Sequence, residues 1–442
     1  MFRPDGNMGL DYLLVVLVAA CVGVAAAALA YVFPTATIVL AVVTGVLVPR
    51  ELLHLAPNLL GYREVGGLLL RHSDPILFGV LVAVALGMYT KRRSWTRFLT
   101  SYPAFGFLFL VFAIQVARGA LSGETASTFG EWRTYYGHFL LVPYIAIFFH
   151  SRQKQRELFL VLMLFGVVFL VSALLQGWFL AGFSYQPAMR WLTAPSNLVL
   201  LNTLVALMIS VRHRLLPFSP SRANLLIAGF VFVTLLNSHR SVWLASLASV
   251  ALLVLLRQVP LAQQVRVAVL SLLAVGVVAI ALYGDDQDLP AFVQTRSLAF
   301  TSFEEDSTAR WRYHLWAEAV SRIRSQPIWG LGLGSHFQLV GIAGDAITTS
   351  PHNAYITLAF HAGLVGLGMY LWFFAQLVLG FAASLRRASD PQDTVIVLTA
   401  LVVLIASHVF YVAFRLDLFS WLFIGLGVAV STSEKRRRQM WN

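Results

Sequence analysis

This sequence is poor in charge, in cysteine and in lysine, and each shortage excludes a class of protein. Charged residues fill 12% of the 442 positions and hydrophobic ones 58%, with a mean hydropathy of +0.75. That leaves too little polar surface to cover a water-soluble domain, and the chain reads as a polytopic membrane protein. The single cysteine, Cys21, excludes an intramolecular disulfide, and no Cys/His metal set is present. There is no Walker A sequence. Gly330-Leu331-Gly332-Leu333-Gly334-Ser335 lacks the GxGxxG spacing and follows Pro327 and no predicted strand, so it reads as a flexible turn and not as a dinucleotide site. No repeat, linker or low-complexity segment divides the chain. Of 32 basic residues, three are lysines (Lys91, Lys154 and Lys435), so the net charge of +12 is nearly all arginine. Arginine suits bidentate phosphate contacts, although a GC-rich genome produces the same bias. The positive-inside rule already makes membrane proteins basic, so the charge implies no nucleic-acid partner.

What the chain has in abundance is apolar runs, at about 11–33, 35–48, 74–90, 102–118, 136–150, 157–181, 197–211, 223–237, 241–257, 266–283, 353–381, 394–413 and 417–432. Several fall short of the ~20 residues of a full span. If the runs alternate in direction, Lys91-Arg92-Arg93, Arg152 to Arg156, Arg212-His213-Arg214, Arg257 to Arg266, Arg386-Arg387 and Lys435 to Arg438 share one side, which positive-inside makes cytoplasmic. The stretch Glu51 to Arg71 could be interfacial or re-entrant, which leaves the side of the N-terminus open. Ala28-Leu29-Ala30 looks like a signal-peptidase site, but the apolar run around it is roughly 20 residues long and only Arg3 precedes it, so an uncleaved first helix is expected. The expected fold is all-α. One helical membrane domain covers 1–442, with about 12 or 13 transmembrane helices and a large extracytoplasmic loop inserted at 284–352.

A loop that long is seldom structureless. From Ser307 to Arg324 it sets Trp311, Leu315, Trp316, Ala319, Val320 and Ile323 at helical spacing, predicting an amphipathic helix with a basic opposite face. Such a helix suits a headgroup surface, and equally a plain cap on the fold. The loop returns to the membrane through Thr348-Thr349-Ser350-Pro351-His352-Asn353-Ala354-Tyr355. Ser350 is a good N-cap and Pro351 suits the first helical position, which puts His352 in the first turn. There the positive helix end keeps imidazole neutral and attracts phosphate, so a proton acceptor and an anion site would coincide.

Arginines stand at the mouths of three helices on that face. Arg190 precedes the run at 197, Arg240 (in Asn237-Ser238-His239-Arg240-Ser241) precedes the run at 241, and Arg310 lies in the loop ahead of the His352 helix. Singly each is an ordinary interface anchor; together with three helix ends they would form a diphosphate site. His239 reads as a turn residue. His361, roughly 13 Å deeper than His352 along the helix, reads as a neutral histidine bonded to a neighbouring helix, and His408 likewise. Asp286-Gln287-Asp288 spells the D-x-D with which some glycosyltransferases hold a divalent ion, but beside Gly284 and Asp285 it reads as a solvated turn. No metal and no other cofactor is expected.

Asn237-Ser238-His239-Arg240-Ser241-Val-Trp243, Ser307-Thr-Ala-Arg310-Trp, Pro327-Ile-Trp-Gly330-Leu-Gly332-Leu-Gly334 and Pro351-His352-Asn353-Ala-Tyr355 with Gly363-Leu364-Val-Gly366 resemble the O-antigen ligase and polymerase family. The similarity covers most of 185–430 and is most specific from 307 to 370. It implies a polytopic glycosyltransferase of the bacterial inner membrane, with its site on the periplasmic face. The donor would be a glycan on undecaprenyl diphosphate, and the acceptor lipid A core for a ligase or another lipid-linked repeat for a polymerase. His352 would be the catalytic base, and Arg240, with Arg190 and Arg310, would hold the diphosphate. The family commonly carries an acidic residue where this chain has His361, which puts a carboxylate role on that helix in doubt. The reaction implied is an inverting transfer without metal, a ligase ahead of a polymerase. A flippase or other transporter is the reading from another class, and repeated halves or broken helices, which would favour it, are not evident in the sequence. A structural or sensory membrane protein is a third. The oligomeric state is not legible.

Overall fold

The computed structural model describes residues 21–43, 63–65, 68–70, 74–123, 125–181, 194–216, 219–236, 240–256, 307–335, 337–339, 346–348, 351, 353–388, 390–410 and 418–439. The expected run at 266–283, the Asp286-Gln287-Asp288 turn and His239 lie outside them.

Prolines and polar turns divide the chain into helices. Helix α1 (Cys21–Val32) is followed after Phe33 by α2 (Pro34–Val42), with Pro34 opening the second helix at an angle of 120°. Helix α3 (Asp74–Thr90) turns by 103° at Lys91 into α4 (Arg92–Ser101), whose Phe98 is buried among aromatic rings. Pro103 restarts the chain as α5 (Pro103–Leu121). A short α6 (Thr125–Glu131) runs into a π turn at Trp132–Tyr136 and a 3-10 turn at Gly137–Leu140, and then into α7 (Leu141–Phe148). There follow α8 (Arg152–Ala181), α9 (Ala194–Arg212), α10 (Pro220–Leu236), α11 (Arg240–Leu255), α12 (Ser307–Ser325), α13 (Ala354–Leu385) and α14 (Pro391–Ile405). Helix α14 ends in a second π turn, Ala406–Phe410, and α15 (Leu418–Gln439) is the last element.

Two antiparallel ladders interrupt the helices. Strands β1 (Arg63–Val65) and β2 (Leu68–Leu70) pair Arg63 with Leu70, within the stretch read as interfacial or re-entrant, and β3 (Phe337–Leu339) and β4 (Ala346–Thr348) pair Phe337 with Thr348 in the long loop. With three residues a strand they leave the fold class all-α. Among the described residues four helices are long and apolar enough to cross a membrane, six if each bent pair makes one span, and five more apolar helices are 10–17 residues long.

Helices α14 and α15 form the centre, and most of the α14 span is buried inside the protein. Gly427 of α15 lies against Ala400 of α14, and Gly425 against Ile145 of α7, so small residues let these backbones approach. Phe105, Phe139, Phe373 and Trp421 join α5, the turn before α7, α13 and α15 in one aromatic core. Helices α5 and α13 sit at the rim, exposing Phe107, Leu110 and Leu121, and Leu364, Leu371 and Leu379. Such an apolar face belongs in lipid.

Among the described residues, the basic clusters at Lys91 and Arg152 meet at one end. Arg152 at the start of α8 lies 3.1 Å from both Asp390 and Asp393 at the start of α14. Ser433 near the end of α15 donates to the His150 carbonyl, and Lys91 lies over the Phe148 ring at 4.3 Å. The opposite end gathers the end of α5, α6, α12 and the start of α13, as alternating spans require.

Candidate active site

Helix α13 is broken. Gly363 has φ 65° and ψ −168°, a conformation essentially confined to glycine. In an unbroken helix Leu364 N–H would bond Phe360 C=O and Val365 N–H would bond His361 C=O. Here the four groups turn to the segment after α12. Leu331 N–H donates to Phe360 C=O at 2.8 Å and Gly332 N–H to His361 C=O at 3.0 Å, while Leu364 and Val365 donate to the carbonyls of Pro327 and Ile328 at 2.8 and 3.3 Å. The loop is spliced into the break, so no backbone group freed there is left for lipid to strand. A Cβ on Gly330 or on Gly363 would strike the other strand's backbone, which explains glycine at both. The Gly330-to-Gly334 stretch is thus a turn, as its sequence indicates, but a tied one and not a flexible one. The break also corrects the expectation that no broken helix is present.

The spliced segment is held from the other side by α5 and α6. Gln115 and Arg118 donate to Trp329 C=O at 2.9 and 3.0 Å, and Thr128 to Leu333 C=O at 3.1 Å. Glu131 Oε2 accepts from Gly334 N–H at 2.6 Å and lies 3.1 Å from His361 Nε2, while His361 Nδ1 is 3.0 Å from the Tyr136 hydroxyl. His361 is therefore a buried histidine bonded to neighbouring elements, as its position suggests. Next to it Arg133 forms a buried ion pair with Asp74 at 2.6 Å. Glu131, Arg133, Arg118 and Asp74 were not singled out in the sequence. The signal available was charge inside apolar surroundings, blurred because 122–135 reads as a connection between spans. π turns often mark functional sites, and one begins directly after Glu131.

The predicted helix start moves. Helix α13 is capped by Asn353, whose side chain accepts from Tyr355 and Ile356 N–H at 3.0 and 3.3 Å, and not by Ser350. Asparagine caps as well as serine, so the sequence offered two starts and the later one won. His352 precedes the cap and is not in the first turn. Two first-turn N–H groups are already used by Asn353, which weakens the helix end as an anion site. His352 itself lies outside the described residues, but both neighbours are fixed: Asn353 by its cap, and Pro351 by its carbonyl, which accepts from Trp316 Nε1 of α12 at 2.6 Å. Helix α12 covers the expected span and packs on α13 through Leu315, Ala319 and Phe360.

Arg240 is the first residue of α11 and Arg310 lies in the first turn of α12, but their side chains, and all of Arg190, are outside the described residues. Helix α11 packs against the π turn 406–410, and Tyr355 in the first turn of α13 donates to His408 C=O there at 2.6 Å. His408 is buried with its Nδ1 2.9 Å from Leu404 C=O, one turn back along its own helix and not on a neighbouring one. Among the described residues no group of three or more His, Cys, Asp or Glu could hold a metal ion.

Residues 223–371, from α10 through the break at Gly363, match the O-antigen ligase family. The match takes in about a third of the chain. The O-antigen ligase segment takes in Arg240, Arg310, His352 and both sides of the splice, whereas Gln115, Arg118 and Glu131 come from outside it. No curated protein matches the chain. The match supports a ligase- or polymerase-type glycosyltransferase that draws on a lipid-linked glycan donor and a glycan acceptor in general.

Proposed function

We propose that the chain is a glycosyltransferase that moves a glycan from undecaprenyl diphosphate to a hydroxyl acceptor at the periplasmic face of the bacterial inner membrane, as an O-antigen ligase with lipid A core as acceptor. The observation that carries this reading is that Arg240 and His352 both fall in the O-antigen ligase segment, Arg240 on a helix that packs against the π turn 406–410 and His352 just ahead of a helix whose first turn bonds the same π turn. In the proposed step His352 takes the proton of the acceptor hydroxyl, whose oxygen attacks the anomeric carbon with inversion. The bond to the diphosphate oxygen breaks, and Arg240, with Arg190 and Arg310, neutralises the leaving undecaprenyl diphosphate. No metal takes part. Electrostatic stabilisation is the larger contribution, because the leaving group is already fair and the site is partly shielded from water.

A polymerase differs in acceptor alone, another lipid-linked repeat. The break at Gly363 is the feature that would suit a transporter, but its backbone groups are filled by the chain's own loop and do not line a path. His352→Ala tests the reading: transfer should fall by about 10² to 10⁴ with donor binding kept, the range for losing general acid–base catalysis. Wild-type turnover by the purified alanine variant removes His352 from the mechanism.

A further inference from the structure

One carboxyl oxygen holds both ends of the segment that carries His352. Glu131 Oε2 meets Gly334 N–H at 2.6 Å and His361 Nε2 at 3.1 Å. Between those two anchors the chain runs out through β3 and β4, passes Pro351, His352 and Asn353, and returns down the first turns of α13. Glu131 is buried, and so are Gly334 and His361. His361 is fixed on its other nitrogen by Tyr136, and the π turn that follows Glu131 places that tyrosine. The Gly334 anchor is reinforced by the neighbouring bond from Thr128 to Leu333 C=O. A shift of the Glu131 carboxyl would therefore move both roots of the excursion against α5 and the core.

From this geometry we infer that Glu131 is a positioning residue of the transferase site, acting through His361 and Gly334 to set where His352 stands. It touches no reacting atom. The inference rests on His352 being the base, and it names a requirement that the matched family segment does not contain. The carboxyl group comes from α6, outside that segment, and lies 3.1 Å from the imidazole on α13.

The test compares Glu131→Ala, Glu131→Gln and Glu131→Asp with His352→Ala in purified full-length protein, assayed for transfer from an undecaprenyl diphosphate-linked oligosaccharide to lipid A core. Glu131→Ala should lower kcat about tenfold to a hundredfold, the scale of an ångström-sized misplacement, with donor KM within about twofold of wild type. In Glu131→Gln the amide oxygen can keep the bond from Gly334 and the contact with His361, and kcat should stay within about threefold. Glu131→Asp keeps the acid but is one methylene short of both partners, and should fall with alanine. Activity kept by aspartate and lost by glutamine would overturn the inference, because charge and not reach would then be what matters. Wild-type kcat in Glu131→Ala beside an inactive His352→Ala would overturn the clamp alone. A fully active His352→Ala would overturn the base reading whatever Glu131 does. If the alanine variant fails to fold, the contrast between glutamine and aspartate decides.

Discussion

Substituting Gly363 by alanine attacks the splice at its hinge. The residue sits at φ 65° and ψ −168°, where a side chain costs about 1–3 kcal/mol in backbone strain. The added Cβ would also overlap the carbonyl of Ile328, a backbone group that cannot swing aside, for about 1–3 kcal/mol more. Together Gly363→Ala should destabilise the folded protein by about 2–6 kcal/mol. The chain has one escape, to close α13 into a continuous helix by restoring the bonds of Leu364 to Phe360 and Val365 to His361. That escape ejects Pro327 to Gly332 and strands their two carbonyls and two N–H groups, so either route releases the loop. Gly368, five residues further along the same helix, is the control. Nothing lies within 4 Å of where its Cβ would be, and Gly368→Ala should stabilise by about 0.5–1 kcal/mol through helix propensity. Thermal unfolding in nanodiscs and amide hydrogen exchange over the peptide 327–335 read the two effects. Faster exchange at Leu331 and Gly332 in Gly363→Ala and none in Gly368→Ala is the expected pattern. Wild-type melting and wild-type exchange in Gly363→Ala would refute the splice.

At Arg240, a guanidinium gripping diphosphate works through its fork as well as its charge, so Arg240→Lys should damage transfer nearly as much as Arg240→Ala. A lysine variant equal to wild type in rate and donor affinity would make Arg240 a membrane anchor. Activity should survive EDTA, and Asp286→Asn with Asp288→Asn should change it little; abolition by chelation with recovery on adding Mg²⁺ or Mn²⁺ would show that the D-x-D holds a metal.

The parts of this fold legible in the sequence are those set by local pattern. Helix α12 lies where Trp311 to Ile323 repeat at helical spacing, and Pro34, Pro103 and Pro391 each open a helix. Legibility failed where two local solutions were equally good or where the deciding partner was distant. Ser350 and Asn353 are both competent caps, and the side-chain bonds of Asn353 to Tyr355 and Ile356 chose between them. Gly363 in an apolar run reads as a tolerated helical glycine; only the arrival of Pro327 to Gly332 makes the break worth its backbone groups. Glu131 was hidden for the same reason, since its partners Gly334 and His361 lie more than 200 positions along the chain.

The splice has a consequence for the order in which the protein can be assembled. Residues 327–332 leave the ribosome before α13 does, and four of their backbone groups, the carbonyls of Pro327 and Ile328 and the N–H groups of Leu331 and Gly332, wait for Phe360 to Val365 to arrive. Helix α13, for its part, can rest in the bilayer alone only as a closed, continuous helix, because the kink without the loop would expose two carbonyls and two amides to hydrocarbon. Opening of the kink and docking of the loop are therefore a single event. A chimaera that exchanges the long loop between relatives while keeping the host helix would fail at the splice, before any question of substrate arose, unless its two strands travelled together.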